Sequence, residues 1–177
     1  MTRYQTWQAV PWPKNSFPLP HIQAHRGYWV KGVRENSLQS LREAQKQGFL
    51  MAEFDVQLTK DLVPVVFHDK DLMRIYGIQA RVFDLTLADL KKIADLPTLS
   101  EVLFSLERPP YLNIELKCPY VFNAKMEKKV VEVVKRCRVE NQILFSSFNP
   151  FTIYRLSKLL PNVPRALLAT SEKEPGN

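Results

Sequence analysis

The sequence predicts an α/β fold in which strands and helices alternate around one core. Short apolar runs recur along the chain, and segments with helical spacing of apolar residues separate most of them. The continuous apolar run at 63–67 is typical of a strand that is buried on both faces. With 177 residues, 45% of them hydrophobic, the chain is long enough for one sizeable domain. A parallel sheet is therefore expected.

The elements are predicted in order from this pattern. The first strand is residues 22–24, and it ends in a polar loop. A helix follows, with Asn36 or Ser37 as its N-cap and Gly48 as its stop. The remaining predictions are strands at 51–58 and 63–67, helices at 87–93 and 99–106, a strand at 111–117, a helix at 122–137, a strand at 143–145 ending in Ser146 and Ser147, a helix from Asn149 and Pro150 through 160, and a strand at 163–168.

An acid pair lies in the second of these strands. Glu53 and Asp55 are two residues apart, so their side chains point to the same face of a strand. Two carboxylates held that close repel each other unless a cation or a shared proton lies between them. The pair therefore indicates a divalent ion, although a solvated strand face is the commoner explanation of such a pair.

Other polar side chains collect at the predicted carboxyl ends of strands, where parallel α/β sheets bind their ligands. Taken singly, each has an ordinary explanation: a lone histidine is usually structural, and Glu115 with Lys117 can be a simple ion pair. Their coincidence at successive strand ends favours a functional site. The residues are His25, Arg26, Glu53, Asp55, His68, Glu115, Lys117, Ser146 and Ser147.

The charge balance suits an anionic partner. The chain has 25 basic and 18 acidic residues, a net charge of +7. The basic residues are dispersed, and those within 125–136 are expected to form the solvated face of one helix. No aromatic and basic residues interleave as they do in RNA-binding domains, so nucleic-acid binding is not expected.

Two cysteines, Cys118 and Cys137, are too few for a disulfide framework or a zinc site, which favours a reducing, cytoplasmic setting. No stretch is long and apolar enough for a signal peptide or a transmembrane segment. The proline- and tryptophan-rich residues 1–20 are expected to form an extended arm, and residues 21–177 one barrel domain.

Six motifs in order resemble the glycerophosphodiester phosphodiesterase family over about residues 23–168. They are HRG at 25–27, ENS at 35–37, EFDV at 53–56, PVVFHD at 64–69, NIELK at 113–117 and FSSFN at 145–149. The resemblance implies a (β/α)8 TIM-barrel fold. It also implies metal-dependent hydrolysis of glycerophosphodiesters, small-molecule substrates, to an alcohol and glycerol 3-phosphate.

The resemblance assigns roles to residues at matching positions. Glu53, Asp55 and Glu115 would bind one divalent cation, and oxygen-only ligands favour Mg2+ or Ca2+. His25 and His68 would be the general acid and base, in either order.

Three further residues at matching positions would support this chemistry. Arg26 and Lys117 would contact the substrate phosphate. Glu35 would orient a basic neighbour or assist the metal. Attack by water and attack by the substrate's own glycerol hydroxyl, through a cyclic phosphate, both remain open, as does the oligomeric state.

Two alternatives remain. One is a lysophospholipase D or sphingomyelinase D-like activity on lipid phosphodiesters, for which Trp7, Trp12 and Phe17 of the arm would provide an interfacial contact. The other is a module that binds phosphate without turnover.

The sequence also departs from the family pattern in two ways. Arg34 stands where many members have proline. Only six strands are predicted where a closed barrel has eight. The missing strands could come from another chain, but a fragment or a truncated barrel is the favoured expectation.

Overall fold

The computed structural model describes residues 20, 22–30, 32–118 and 123–169. Its strands are β1 (Met51–Leu58), β2 (Pro64–Val66), β3 (Tyr111–Leu116), β4 (Ile143–Ser147) and β5 (Arg165–Leu167). Its helices are α1 (Leu38–Lys46), α2 (Met73–Tyr76), α3 (Leu87–Ile93), α4 (Leu99–Phe104), α5 (Lys125–Cys137) and α6 (Pro150–Leu159). Short 3-10 turns lie at Val82–Asp84 and Glu140–Gln142. The arm predicted for residues 1–20 lies outside the described residues apart from Pro20.

The five strands form one sheet in the order β2-β1-β3-β4-β5. β1, β3, β4 and β5 are mutually parallel, which confirms the predicted parallel α/β arrangement for these four strands. In the register of the sheet, Asp55 of β1 lies beside Glu115 of β3, and Glu115 lies beside Ser146 of β4. The carboxyl ends of these strands therefore meet at one edge, as the sequence predicts.

β2 departs from the prediction because it runs antiparallel to β1. Only residues 59–63 connect the two strands, and a parallel crossover needs a dozen or more. The connection is a tight turn. Val63 N donates a hydrogen bond to Thr59 Oγ1 at 2.9 Å, and Leu62 has a φ of +64°. Beyond the paired residues, Phe67 N donates to Asp55 O at 3.0 Å, so the chain after β2 returns to the level of the acid pair.

The predicted first strand is reduced to a single bridge between Ala24 and Ala52. Ala24 N donates to Met51 O at 3.0 Å, and Glu53 N donates to Ala24 O at 2.9 Å. The pairing extends no further because Arg26 and Gly27, at φ +57° and +79°, turn the chain away. Ala24 and β2 share one edge of β1, with Ala24 beside its first half and β2 beside its second.

The main core lies between the sheet and helices α1, α4, α5 and α6. Phe54 and Phe145 are its largest fully buried side chains. A second apolar cluster packs β2 against the segment that holds α2 and α3. Leu106 was expected on the apolar face of the helix at 99–106, but α4 ends at Phe104 and the chain is already extended at Ser105. Leu106 is consequently 92% exposed.

The predicted solvated basic face of α5 is present: Lys125, Lys128, Lys135 and Arg136 are exposed. Cys118 and Cys137 are both partly buried. Within the described ranges, every helix is too short or too polar to cross a bilayer.

We expect Phe145→Ala to lower the free energy of unfolding by about 3–5 kcal/mol, because it removes a fully buried ring from the main core. Leu106→Ala is the control and should change the same quantity by less than about 0.5 kcal/mol, since the leucine is exposed. Equilibrium denaturation of both variants measures the difference. Equal losses would contradict this description of the core.

Candidate active site

Three carboxylates converge where β1 and β3 lie side by side. One oxygen from each of Glu53, Asp55 and Glu115 lies within 4.8 Å of the other two. The strand pleat turns Glu53 and Asp55 to the same face, and the parallel register brings Glu115 beside Asp55. All three side chains are buried. The sheet thus unites an acid pair from one motif with an acid 60 residues further along the chain.

The crowding of these acids has an electrostatic consequence. Burial, together with the nearby negative charge of Asp55, raises the pKa of Glu53 from an ordinary 4.5 to about 8. Glu53 Oε1 is buried and, within the described residues, receives neither a hydrogen bond nor an ion pair. Three converging carboxylates with an unpartnered buried oxygen are a donor set that fits a hard divalent cation.

Two basic side chains flank the acids. Lys117 Nζ lies 2.5 Å from Glu115 Oε1 and 3.0 Å from Asp55 Oδ1. Burial alone would lower the pKa of Lys117, but hydrogen bonds and attraction to Glu115 and Asp55 raise it above its usual range. The Glu115–Lys117 ion pair that the sequence left open is therefore present, and Lys117 also reaches the acid pair.

Arg26 approaches the acids from the other side. Its backbone N–H donates to Glu53 Oε2 at 3.0 Å, and its Nε lies 3.6 Å from Asp55 Oδ2. The loop that carries Arg26 packs tightly on α1, where Ser40 Oγ donates to Arg26 O at 3.0 Å. A Cβ at Gly27 would lie 2.3 Å from Ser40 Oγ, and φ is +79° there. Only glycine fits this position without displacing Arg26.

Asn36 fixes Asp55, a contact that the sequence does not predict, although it marks Asn36 as a candidate N-cap and as part of the ENS motif. Its Nδ2 donates to Asp55 Oδ2 at 2.8 Å, and its Oδ1 accepts from Asp55 N at 3.1 Å. Ser37 is the actual N-cap of α1. Asn36 is buried at a φ of +51°, a conformation that asparagine tolerates better than most residues. That tolerance is the only local hint of its role, because Asp55 is distant in sequence.

The two predicted catalytic histidines have different surroundings. His25 Nε2 lies 3.8 Å from Glu53 Oε2, and its side chain is 68% exposed. His68 is less exposed, and its Nδ1 lies 2.7 Å from Asp69 Oδ1. His68 also lines a cavity together with Glu115 and Lys117.

Glu35 contacts two arginines rather than the carboxylate cluster. Arg26 Nη1 donates to Glu35 Oε1 at 2.9 Å, and Arg74 Nη2 donates to the same oxygen at 2.5 Å. Burial alone would raise the pKa of Glu35, but hydrogen bonds from Arg74 and Arg26 outweigh it and lower the pKa below its usual range. Arg74 was not predicted, because nothing in its local sequence marks it.

The two serines at the end of β4 make internal hydrogen bonds. Ser146 Oγ donates to Asn113 Oδ1 at 2.8 Å, and Ser147 Oγ donates to Leu116 O at 2.8 Å. Asn113 in turn donates to Gln23 Oε1 at 3.0 Å. The first two contacts tie β4 to β3.

The cavity beside the acids has a volume of about 1030 Å3. His68, Glu115 and Lys117 line it. Its lining also includes the apolar residues Leu58, Phe83, Leu116, Met126, Phe148 and Phe151. The Lys117 Nζ lies 5.9 Å from the centre of the Phe148 ring.

Comparisons of the sequence with known proteins all point to one family. The model of the Glycerophosphoryl diester phosphodiesterase family matches residues 25–176. A glycerophosphodiester phosphodiesterase of Caldanaerobacter subterraneus subsp. tengcongensis is 33% identical over 160 residues, 83% of this chain and 65% of that protein. A human protein named as a lysophospholipase D is 30% identical and is matched over 85% of this chain and 52% of its own length. The chain thus spans less than two thirds of the length of these two relatives.

Solved structures show the same likeness. An Oleispira antarctica phosphodiesterase in complex with the product sn-glycerol-3-phosphate is 31% identical, with a TM-score of 0.76 over 89% of this chain and 69% of that one. A glycerophosphodiester phosphodiesterase from Parabacteroides distasonis is 32% identical, with a TM-score of 0.71 over 81% of this chain and 62% of that one. The predicted TIM-barrel type of fold is confirmed, and the described strands form part of such a barrel.

The raised pKa of Glu53 predicts that the metal-free protein loses stability as pH rises from about 5 to about 8. In this range the unfolded chain releases the Glu53 proton, whereas the folded chain retains it until the pKa of about 8 is reached. Rising pH therefore favours unfolding. Melting temperatures measured in chelator at pH 5.5 and 7.5 should differ more for the wild type than for Glu53→Gln. An equal pH dependence in both proteins would contradict the raised pKa.

Proposed function

Because the chain belongs to the glycerophosphoryl diester phosphodiesterase family, we propose that it hydrolyses glycerophosphodiesters to an alcohol and glycerol 3-phosphate. The observation that carries this proposal is the convergence of three buried carboxylates within 4.8 Å, beside Lys117 and Arg26. The product bound to the Oleispira antarctica relative supports the same substrate class.

Glu53, Asp55 and Glu115 would hold one divalent cation. Their ligand atoms are all carboxylate oxygens, which suit Mg2+ or Ca2+ better than zinc. When bound, such an ion supplies positive charge that offsets the charge building up on the phosphate oxygens. Asn36 holds Asp55 by two hydrogen bonds, so one ligand is oriented before any ion arrives.

Arg26 and Lys117 would bind the phosphate. The Nε of Arg26 is buried and has no hydrogen-bond acceptor among the described residues, so a phosphate oxygen would satisfy it. Lys117 is charged and already lies beside the acids. Glu35 supports this role because it holds the guanidinium of Arg26 through Nη1.

His25 and His68 would transfer the protons. One imidazole takes a proton from the nucleophile, and the other gives a proton to the leaving alkoxide, because an imidazole can gain or lose a proton near neutral pH. His25 approaches Glu53, and His68 lines the cavity. Direct attack by water needs these two transfers once. Attack by the glycerol hydroxyl needs them once to form the cyclic phosphate and release the alcohol, and again, with the roles of the two imidazoles exchanged, when water opens the ring.

The apolar residues that line the cavity support a second candidate, the hydrolysis of lysophospholipids. Phe83 and Phe151 line the same cavity as His68 and Lys117, and a water-soluble head group gains little from such a surface. An acyl chain attached to the leaving group or to the glycerol would bury these rings.

Two cysteines are too few for a disulfide framework, which suits a reducing compartment, and we infer that this activity takes place in the cytoplasm.

The first test is the release of glycerol 3-phosphate from glycerophosphocholine or glycerophosphoethanolamine with Mg2+ or Ca2+. We expect turnover that chelation abolishes and that His25→Ala, His68→Ala and Glu115→Gln each lower by at least about 100-fold. Lys92→Ala, which removes an exposed lysine of α3, is the control and should leave the rate unchanged.

A folded, metal-loaded sample without turnover would contradict the proposal. If glycerol phosphate and Ca2+ still raised its melting temperature together, the chain would be a binding module instead.

The lysolipid candidate predicts a different effect for one ring. Phe151→Ala should lower kcat/KM for a lysophospholipid by roughly tenfold, because part of a buried apolar contact is lost, while leaving glycerophosphocholine hydrolysis unchanged. Parallel assays of both substrates measure this split. Equal effects on the two substrates would rule out an acyl-binding role for the cavity.

A further inference from the structure

His68 lies at one end of a chain of charged contacts. Its Nδ1 is 2.7 Å from Asp69 Oδ1. Arg74 then binds the same carboxylate with two nitrogens, Nε to Oδ2 at 2.6 Å and Nη2 to Oδ1 at 3.1 Å. The other side of the Arg74 guanidinium binds Glu35, at 2.5 and 3.3 Å. One arginine therefore connects the histidine segment to the carboxylate that also holds Arg26.

The backbone of the histidine segment is fixed separately. Gln57 Nε2 approaches three successive carbonyl oxygens, those of Phe67 at 3.0 Å, His68 at 3.1 Å and Asp69 at 2.7 Å. Gln57 belongs to β1, the strand that carries Glu53 and Asp55. The main chain at His68 is thus held in a fixed place relative to the acids, which leaves the orientation of the imidazole ring to Asp69.

Asp69 determines which ring nitrogen carries a proton. The hydrogen bond from Arg74 lowers the pKa of Asp69 below its usual range, and the hydrogen bond with His68 acts in the same direction, whereas burial opposes them. This carboxylate therefore stays ionised near neutral pH. An ionised carboxylate only accepts hydrogen bonds. Nδ1 of a neutral His68 must therefore be the donor, and Nε2 is then the atom that is able to accept or pass on a proton.

We propose that Arg74 is a positioning residue for His68: it holds the Asp69 carboxylate against Nδ1 and so keeps Nε2 available for proton transfer. This inference rests on the proposed function, in which His68 is the general acid or base. Arg74 itself does not reach the acid cluster through any contact in the described residues. Its effect passes through Asp69.

A purely structural role is the competing explanation. α2, which carries Arg74, has four residues, buries none of its side chains and has no side-chain N-cap. The ion pairs of Arg74 could therefore serve only to hold this short helix. A structural role predicts a loss of stability alone, whereas a positioning role predicts a change at the imidazole.

The kinetic test compares Arg74→Gln and Asp69→Asn with the control Arg42→Gln. Arg42 of α1 is matched in exposure, 46% against 49%, and it forms an ion pair with Glu107 at 2.6 Å. We expect both test variants to lower kcat by about 10–100-fold while KM stays within about twofold. Losses of this size are typical when a residue that orients a functional side chain, without touching the substrate, is removed. Arg74→Lys should restore part of kcat, because a lysine can still contact Asp69 but cannot bind both carboxylates in bidentate fashion. Arg42→Gln should leave both constants unchanged.

The spectroscopic test does not depend on turnover. The chain has three histidines, so the 15N spectrum of its imidazoles is simple, and His68→Gln assigns the signal of His68. At alkaline pH, wild-type His68 should show the tautomer protonated at Nδ1. Asp69→Asn and Arg74→Gln should shift His68 towards a mixture of tautomers while His25 stays as it was.

Unchanged His68 signals, or a lower melting temperature with unchanged kcat, would overturn the positioning role even if the wild type is an active phosphodiesterase. A tautomer shift in a protein that has no turnover would support the positioning contact and refute the proposed activity. Failure of the positioning role of Arg74 and failure of the proposed phosphodiesterase activity therefore give different results.

Discussion

The mutual repulsion of three buried carboxylates is the constraint on which the rest of this site depends. The parallel register of β1 and β3 makes the crowding unavoidable, because it places Asp55 beside Glu115 with Glu53 on the same face. The surrounding residues relieve that crowding in different ways. Lys117 supplies charge, the backbone of Arg26 supplies a hydrogen bond, and the raised pKa of Glu53 lets it keep a proton. A divalent cation would replace that proton and complete the same compensation.

The hairpin formed by β1 and β2 determines how the second histidine reaches the acids. If β2 were parallel to β1, a long crossover would have to connect the two strands before β2 could end at the same edge of the sheet. β2 instead runs back along β1 after a short turn, and the chain beyond it arrives level with Asp55. Gln57 then holds the next three carbonyl groups. One strand, β1, therefore supplies two of the acids and the anchor for His68, so their relative positions depend on few independent elements.

The sequence predicts correctly those features that depend on neighbouring residues alone. The bounds of β1 follow from its apolar run, and the shared face of Glu53 and Asp55 follows from the strand pleat. Prediction fails where the outcome depends on distant contacts. An apolar run carries no strand direction, although the short connection at 59–63 already excluded a parallel crossover. Asn36 and Arg74 bind partners 19 and 39 positions away, and no local pattern specifies such pairs. Leu106 fitted a helical spacing, but the backbone had left the helix one residue earlier.

The distance in sequence between the acids links ion binding to folding. Glu115 follows Asp55 by 60 residues, so the unfolded chain does not present the three carboxylates together. An ion that binds only the folded state stabilises it by mass action, by about 2.7 kcal/mol at a concentration one hundred times its dissociation constant. The concentration of the divalent ion around the protein would then act on the lifetime of the protein as well as on its chemistry. A chain depleted of metal would unfold more often and be more readily degraded, which couples its abundance to ion supply.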